Sequence, residues 1–202
     1  MGLLDRFAKQ FEKPEGYLGA LAGKLMEMFG YKKIEWTISL LDLQKEDNVL
    51  EVGFGPGIGI ELAANAIQDG YIVGVDYSEK MLKQAQKRNK KHMEEGKVEL
   101  RLADVSDLPI FDLPFDKVFS VNSIIFWKEP TETLKAIRQR MKQNGIVAIT
   151  VQPFEKGATE ETVKQIGNKI ANQLKDAGFS SIRMEIISTK PVSTVCVLGI
   201  NQ

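Results

Sequence analysis

Residues 49–59 read Val-Leu-Glu-Val-Gly-Phe-Gly-Pro-Gly-Ile-Gly. An apolar run stops at the first glycine, and helical spacing resumes from Ile58, so the stretch reads as strand, tight turn and helix. Gly53, Gly55, Gly57 and Gly59 remove side chains where a nucleotide-like ligand has to approach the backbone. Glu51 stands two residues ahead of the first glycine. A carboxylate there would repel a pyrophosphate and favour a ligand that carries an ammonium and a sulfonium. Leu50 and Val52 bracket Glu51 in a run that reads as buried, which argues against a surface acid closing a strand. A buried carboxylate needs partners.

Outward from this turn, strand and helix patterns alternate. Residues 48–52 form a central strand, and 58–67 a helix with Ile60, Ala63, Ala64 and Ile67 on one face, closed by Asp69-Gly70. Residues 71–75 form a second strand ending at Asp76, and Ser78 is the expected N-cap of a helix running to about Glu94. Strands follow at 98–102, 115–121 and 146–151, with a helix at 130–141 between the last two. Five strands with helical crossovers imply a parallel sheet covered on both faces. The tail differs: a helix at 159–177 precedes two β-rich runs, 181–188 and 192–199. Joined by only Thr189-Lys190-Pro191, they predict an antiparallel hairpin at the sheet edge. The sum is a doubly wound α/β fold with a mostly parallel seven-stranded sheet. Ahead of it, Leu18, Leu21, Ala22, Leu25, Met26 and Phe29 lie at helical spacing, and 34–43 reads as a second helix. No repeat or linker divides the chain, so 1–202 reads as one domain with 1–44 as an N-terminal helical lid.

The 202 residues carry 27 basic and 27 acidic side chains, a formal net charge of zero. Nothing in that balance advertises nucleic acid or an acidic membrane surface. One cysteine, Cys196, cannot form an internal disulfide and suits a reducing compartment. The early charges Asp5, Arg6, Lys9, Glu12 and Lys13 interrupt any signal peptide or membrane span. The expectation is a cytoplasmic protein of unknown oligomeric state.

Four segments in order resemble the class I S-adenosylmethionine-dependent methyltransferases: Glu51-Val-Gly-Phe-Gly-Pro-Gly, Asp76-Tyr-Ser-Glu-Lys-Met-Leu-Lys-Gln-Ala, Ala103-Asp104-Val105 and Phe115-Asp-Lys-Val-Phe-Ser-Val-Asn. The resemblance spans roughly residues 35–200 and implies a Rossmann-like fold, methyl transfer, S-adenosylmethionine as cofactor and S-adenosylhomocysteine as product. It also implies a cofactor site made of Glu51, Gly53, Phe54, Gly55, Gly57, Asp76, Tyr77, Ser78, Met81, Ala103, Asp104, Val105 and Asn122. Asp76 would accept from both ribose hydroxyls, or be a turn aspartate. Met81 would lie under the adenine ring, or pack in the core. Asp104 would take the adenine amino group, or cap a strand end. Asn122 would lie beside the ligand's amino group, or form a turn. Glu51 would serve the methionine end through water or the glycine backbone.

For the acceptor, Phe126 and Trp127 follow the fourth strand and are candidate pocket walls, or anchors for the helix at Pro130. Phe11, Tyr17 and Tyr31 are candidate aromatic contacts from the lid. Residues 152–159 leave no room for a large recognition insert, which favours a small-molecule acceptor. The segment after the fourth strand reads Asn122-Ser-Ile-Ile and lacks the Asn-Pro-Pro-Tyr pattern of base-methylating relatives. Two other functions compete. A nicotinamide oxidoreductase needs Gly-x-Gly-x-x-Gly or Ala, and Ile58 or Ile60 occupies the last place. A cofactor-binding sensor or partner subunit without catalysis shares every binding motif. His92 reads as a surface residue, Cys196 as core, and Lys83, Lys87, Lys90 and Lys91 as a solvated helix face. No His/Cys/acid cluster suggests a metal.

Overall fold

The computed structural model describes residues 30–202. Phe11, Tyr17 and most of the expected lid therefore lie outside the described residues. The helix over 30–41 (α1) is followed by Val49–Val52 (β1), Ile58–Ala66 (α2), Ile72–Asp76 (β2), Glu79–Arg88 (α3), Lys90–Glu94 (α4) and Val98–Leu102 (β3). Then come Phe115–Val121 (β4), Pro130–Arg138 (α5), Met141–Val151 (β5), Glu160–Asp176 (α6), Ser180–Ile187 (β6) and Thr194–Ile200 (β7).

The seven strands are ordered β3-β2-β1-β4-β5-β7-β6. Neighbours among β1–β5 pair in parallel, whereas β7 runs antiparallel to both β5 and β6. All four residues of β1 are buried, as the two covered faces of a central strand require. Leu50 and Val52 join Val118, Ile149, Leu134 and Leu174 on the face covered by α5 and α6. Val49 joins Phe119, Ala148, Leu41, Ile60 and Ala85 on the face covered by α1, α2 and α3. The strand order reverses at β1–β4, so the carboxyl ends of those two strands open the crevice where ligands of such sheets bind.

Two expectations about elements are corrected. The helix from Ser78 does not run unbroken to Glu94; it stops at Arg88, because Asn89 turns its amide back onto Gly57 and Ala85 carbonyls. The fifth strand does not begin at residue 146. β5 starts at Met141 and carries a bulge, its pairing with β4 passing from Phe115↔Met141 to Lys117↔Ile146. The preceding helix accordingly ends at Arg138. The antiparallel hairpin at the sheet edge is as expected, with β6 outermost and β7 pairing with both β5 and β6.

Candidate active site

Gly53, Gly55 and Gly57 all adopt left-handed backbone, with φ of 77°, 51° and 82°. The turn is closed by Gly53 N–H donating to Val75 O at 2.8 Å and Gly57 N–H donating to Phe54 O at 2.9 Å. Most of its glycines answer to the protein. A Cβ on Gly53 would collide with the Ser123 side chain, and one on Gly59 with the Glu51 carboxylate. On Gly57 it would lie 2.7 Å from Asn89 Nδ2 and 2.8 Å from the Ala85 methyl. At Gly55 alone of these four it would meet no protein atom within 4 Å. The expectation that all four clear space for a ligand is thus corrected: three permit close packing and Gly55 faces open space. Phe54 is buried in the core, its ring against Gly74, which leaves its main chain to line the turn.

Glu51 is 2 % exposed, and its Oε2 has no hydrogen-bond partner among the described residues. Burial pushes its carboxyl well above the usual carboxylate range and the Asp76 charge adds to that, while a bond from the Ile60 main chain pulls the other way. A buried, half-satisfied acid beside the turn is a seat for a cation.

Asp76, at the end of β2, accepts Gly55 N–H on Oδ2 and Ser78 N–H on Oδ1, both at 2.9 Å. It therefore ties the glycine turn to the start of α3. Each oxygen retains acceptor capacity for a hydroxyl. Ser78 caps α3 by accepting Met81 N–H, and Met81 is half-buried against the α2–α3 core, while Tyr77 is exposed. Ala103 N–H donates to Asp76 O, which links the β3 exit to the same corner. Asp104 caps the short 3-10 turn Val105–Asp107; its Oδ1 accepts Ser106 N–H and Oγ–H, which holds the carboxyl below its ordinary value. Val105 packs partly on the core.

Asn122 is left-handed, with φ of 57°, and its Oδ1 accepts Gln152 N–H at 2.9 Å, joining the carboxyl ends of β4 and β5. The two acceptor-wall candidates separate. Phe126 is 66 % exposed, whereas Trp127 is 8 % exposed within the core and donates its indole N–H to Ser123 Oγ at 3.1 Å. The anchor reading is the one that fits Trp127. Tyr31 is exposed on α1. His92 is half-buried on α4, whose exit leads to the amino end of β3, away from the crevice. Cys196 is core, its thiol pushed up to about 12 by burial.

Residues that the sequence did not single out complete the site. Ser123 Oγ donates to Val52 O and contacts Ser120 Oγ. Gln152 Oε1 accepts Lys33 Nζ–H at 2.8 Å, which fixes the start of α1 beside the β5 exit. Burial lowers the Lys33 pKa. Neither contact has a local sequence signal. Asn89 did have one, since asparagine is a weak helix former in a helix interior.

A parallel sheet with β7 inserted antiparallel, a glycine turn after β1 and acids closing β1 and β2 defines the class I S-adenosylmethionine-dependent methyltransferases. Residues 50–149 match the methyltransferase domain family. The uncharacterized methyltransferase YdaC of Bacillus subtilis is 35 % identical over 176 residues, covering 87 % of this chain and 95 % of that one. Erythromycin 3''-O-methyltransferase of Saccharopolyspora erythraea is 27 % identical over 166 residues, or 72 % of this chain and 54 % of the relative. A SAM dependent methyltransferase from Aquifex aeolicus superposes with a TM-score of 0.69 at 20 % identity, covering 97 % of this chain and 98 % of that one. The chain belongs to the methyltransferase family, and its cofactor is S-adenosylmethionine. The residues present fit that group: the orphaned Glu51 oxygen suits an ammonium, and the open face of Gly55 suits close approach of a ligand. Among the described residues there is no candidate metal cluster, and no helix is long and apolar enough to cross a membrane.

Proposed function

We propose that the protein methylates a small-molecule acceptor seated above the carboxyl ends of β4 and β5. The observation that carries this reading is a pair of exposed aromatic rings there: Phe126 after β4 and Phe154 after β5, 66 % and 60 % exposed. Apolar rings left in water beside a cofactor crevice suit the walls of a ligand pocket. Only residues 152–159 join β5 to α6, so a large recognition insert has no place in that link. A relative named for O-methylation of erythromycin supports the same substrate class.

When bound, S-adenosylmethionine supplies a methyl group already activated on its sulfonium, open to in-line displacement. The chain's share is then alignment and exclusion of water, with no need for a strong base. Glu51 and Asn122 are assigned to the methionine end, Asp76 to the ribose, and Met81, Ala103, Asp104 and Val105 to the adenine. Gly53, Phe54, Gly55 and Gly57 line the turn with main chain, and Tyr77 and Ser78 border it. We assign residues 1–44 to cover the bound acceptor, a reading supported by the Lys33–Gln152 bond that holds the start of α1 beside the β5 exit.

The test is transfer of an isotope-labelled methyl group into metabolite, protein and nucleic-acid fractions of one cell extract. Label in the metabolite fraction, lost in Phe126→Ala, is the expected result. Label confined to protein or nucleic acid would contradict the acceptor class, and no transfer at all would favour a binding protein without catalysis.

A further inference from the structure

Asn89 is fully buried at the break between α3 and α4. Its Nδ2 donates at 3.0 Å to the carbonyls of both Gly57 and Ala85. The neighbouring Arg88 donates Nε–H to Pro56 O at 3.1 Å and pairs with Glu61 at 3.2 Å. The end of α3 thus grips the glycine turn at two successive carbonyls, those of Pro56 and Gly57.

The bonding around Asn89 is unusual in what it satisfies. Gly57 O already accepts Glu61 N–H, and Ala85 O already accepts the Asn89 main-chain N–H. Neither carbonyl needs the side-chain amide to escape an unsatisfied state. Meanwhile Asn89 Oδ1 is buried with no hydrogen-bond partner among the described residues. An orphaned buried acceptor keeps its full desolvation penalty, which a second bond to an already satisfied carbonyl does not return. As a stabilising device Asn89 is therefore poor, and what it does is hold Gly57 in place.

We propose that Asn89, supported by Arg88, is a positioning residue of the cofactor turn: its amide fixes the left-handed Gly57 and so aims the Gly53–Gly57 main chain at S-adenosylmethionine. Gly57 is also the N-cap of α2, so the same contact sets the direction in which that helix leaves the turn. Asn89 touches no reacting group and acts through the backbone. The proposal rests on the cofactor assignment.

The test pairs calorimetric titration of S-adenosylhomocysteine with urea unfolding of the ligand-free, full-length protein. Asn89→Leu keeps the number and branching of the side-chain heavy atoms, removes the orphaned oxygen and cannot donate. The expected outcome is stability equal to or above wild type with affinity weakened roughly tenfold, about one hydrogen bond's worth. Asn89→Asp, isosteric but without the donors, is expected to weaken binding as well and carries the test if the leucine variant does not fold. Ile137→Val, in the core under the opposite sheet face, should lose some stability and keep wild-type affinity. Unchanged affinity in a folded Asn89 variant would overturn the positioning role. So would an affinity loss no larger than an equally destabilised Ile137→Val shows. Failure of the wild type to bind would overturn the cofactor assignment and this proposal with it.

Discussion

Glu51 and Asp76 are two acids at adjacent strand ends, and their surroundings make them behave differently. Asp76 is held by two main-chain N–H groups; Glu51 is buried with one oxygen unmatched. Because the folded-state pKa of Glu51 is raised above its unfolded value of 4.5, its contribution to stability is fully present below about pH 4.5. That contribution is lost as pH rises through the raised value. Glu51→Gln should therefore stabilise the ligand-free protein at neutral pH and flatten the fall in its stability as pH rises above about 4.5, read by urea unfolding from acid to neutral pH. The same variant should bind S-adenosylmethionine more weakly, having lost the charge opposite the ammonium. A ligand-free Glu51→Gln protein less stable than wild type at neutral pH would contradict the unmatched state of this acid. Asp76→Ala should cost both binding and order: each charge-assisted bond is worth about 1.5–3 kcal/mol, so cofactor affinity should fall tenfold or more and the melting temperature should also drop. An unaltered titration curve in a folded Asp76→Ala protein would remove the ribose role. Both acids were legible because motif order and flanking apolar residues agree about them. The packing role of the glycines was not, since nothing local tells that Ser123, Asn89 and Glu51 press on Gly53, Gly57 and Gly59.

Trp127 shows what sequence leaves open at the scale of an element. An aromatic just after a strand can turn toward the crevice or under the next helix, and the choice depends on where the backbone of the 3-10 turn Ile124–Phe126 leads. Here Phe126 turns out and Trp127 turns in, its N–H on Ser123. Trp127→Ala should cost about 3–5 kcal/mol, as large-to-small core changes do, while S-adenosylhomocysteine affinity in the folded fraction stays close to wild type. Trp127→Phe should lose less. A melting temperature unmoved by Trp127→Ala would return this residue to the pocket wall. The broken helix at Asn89 and the bulged start of β5 have the same origin. Both are set by contacts with segments distant in sequence, Gly57 in one case and β4 in the other, whereas Ser78 caps its helix through a local bond and was legible.

For the whole molecule, periodicity and glycine punctuation were enough to give five parallel strands and an antiparallel tail, because each strand carries its own burial signal. The insertion of β7 between β5 and β6 is a long-range fact and was read only as an edge hairpin. How α1 meets the sheet was also hidden. Its anchor is a buried pair, Thr37 Oγ1 with Thr150 Oγ1 at 2.7 Å, beside the Lys33–Gln152 bond. Thr37→Val or Thr150→Val alone should destabilise by about 1 kcal/mol, because each breaks the bond between the two buried hydroxyls, and the double variant should lose less than the sum of the two. A strictly additive double variant would deny the pair its role in seating α1. Everything in this fold converges on one corner, where β1, β2 and β4 end around Gly55, and its ligand can be asked for directly. Calorimetric titration of the full chain with S-adenosylmethionine, S-adenosylhomocysteine and NAD should give saturable binding of the first two and negligible heat from the third. Comparable or tighter binding of NAD, or no binding of either adenosyl ligand, would contradict the assignment of this protein as an S-adenosylmethionine-dependent methyltransferase.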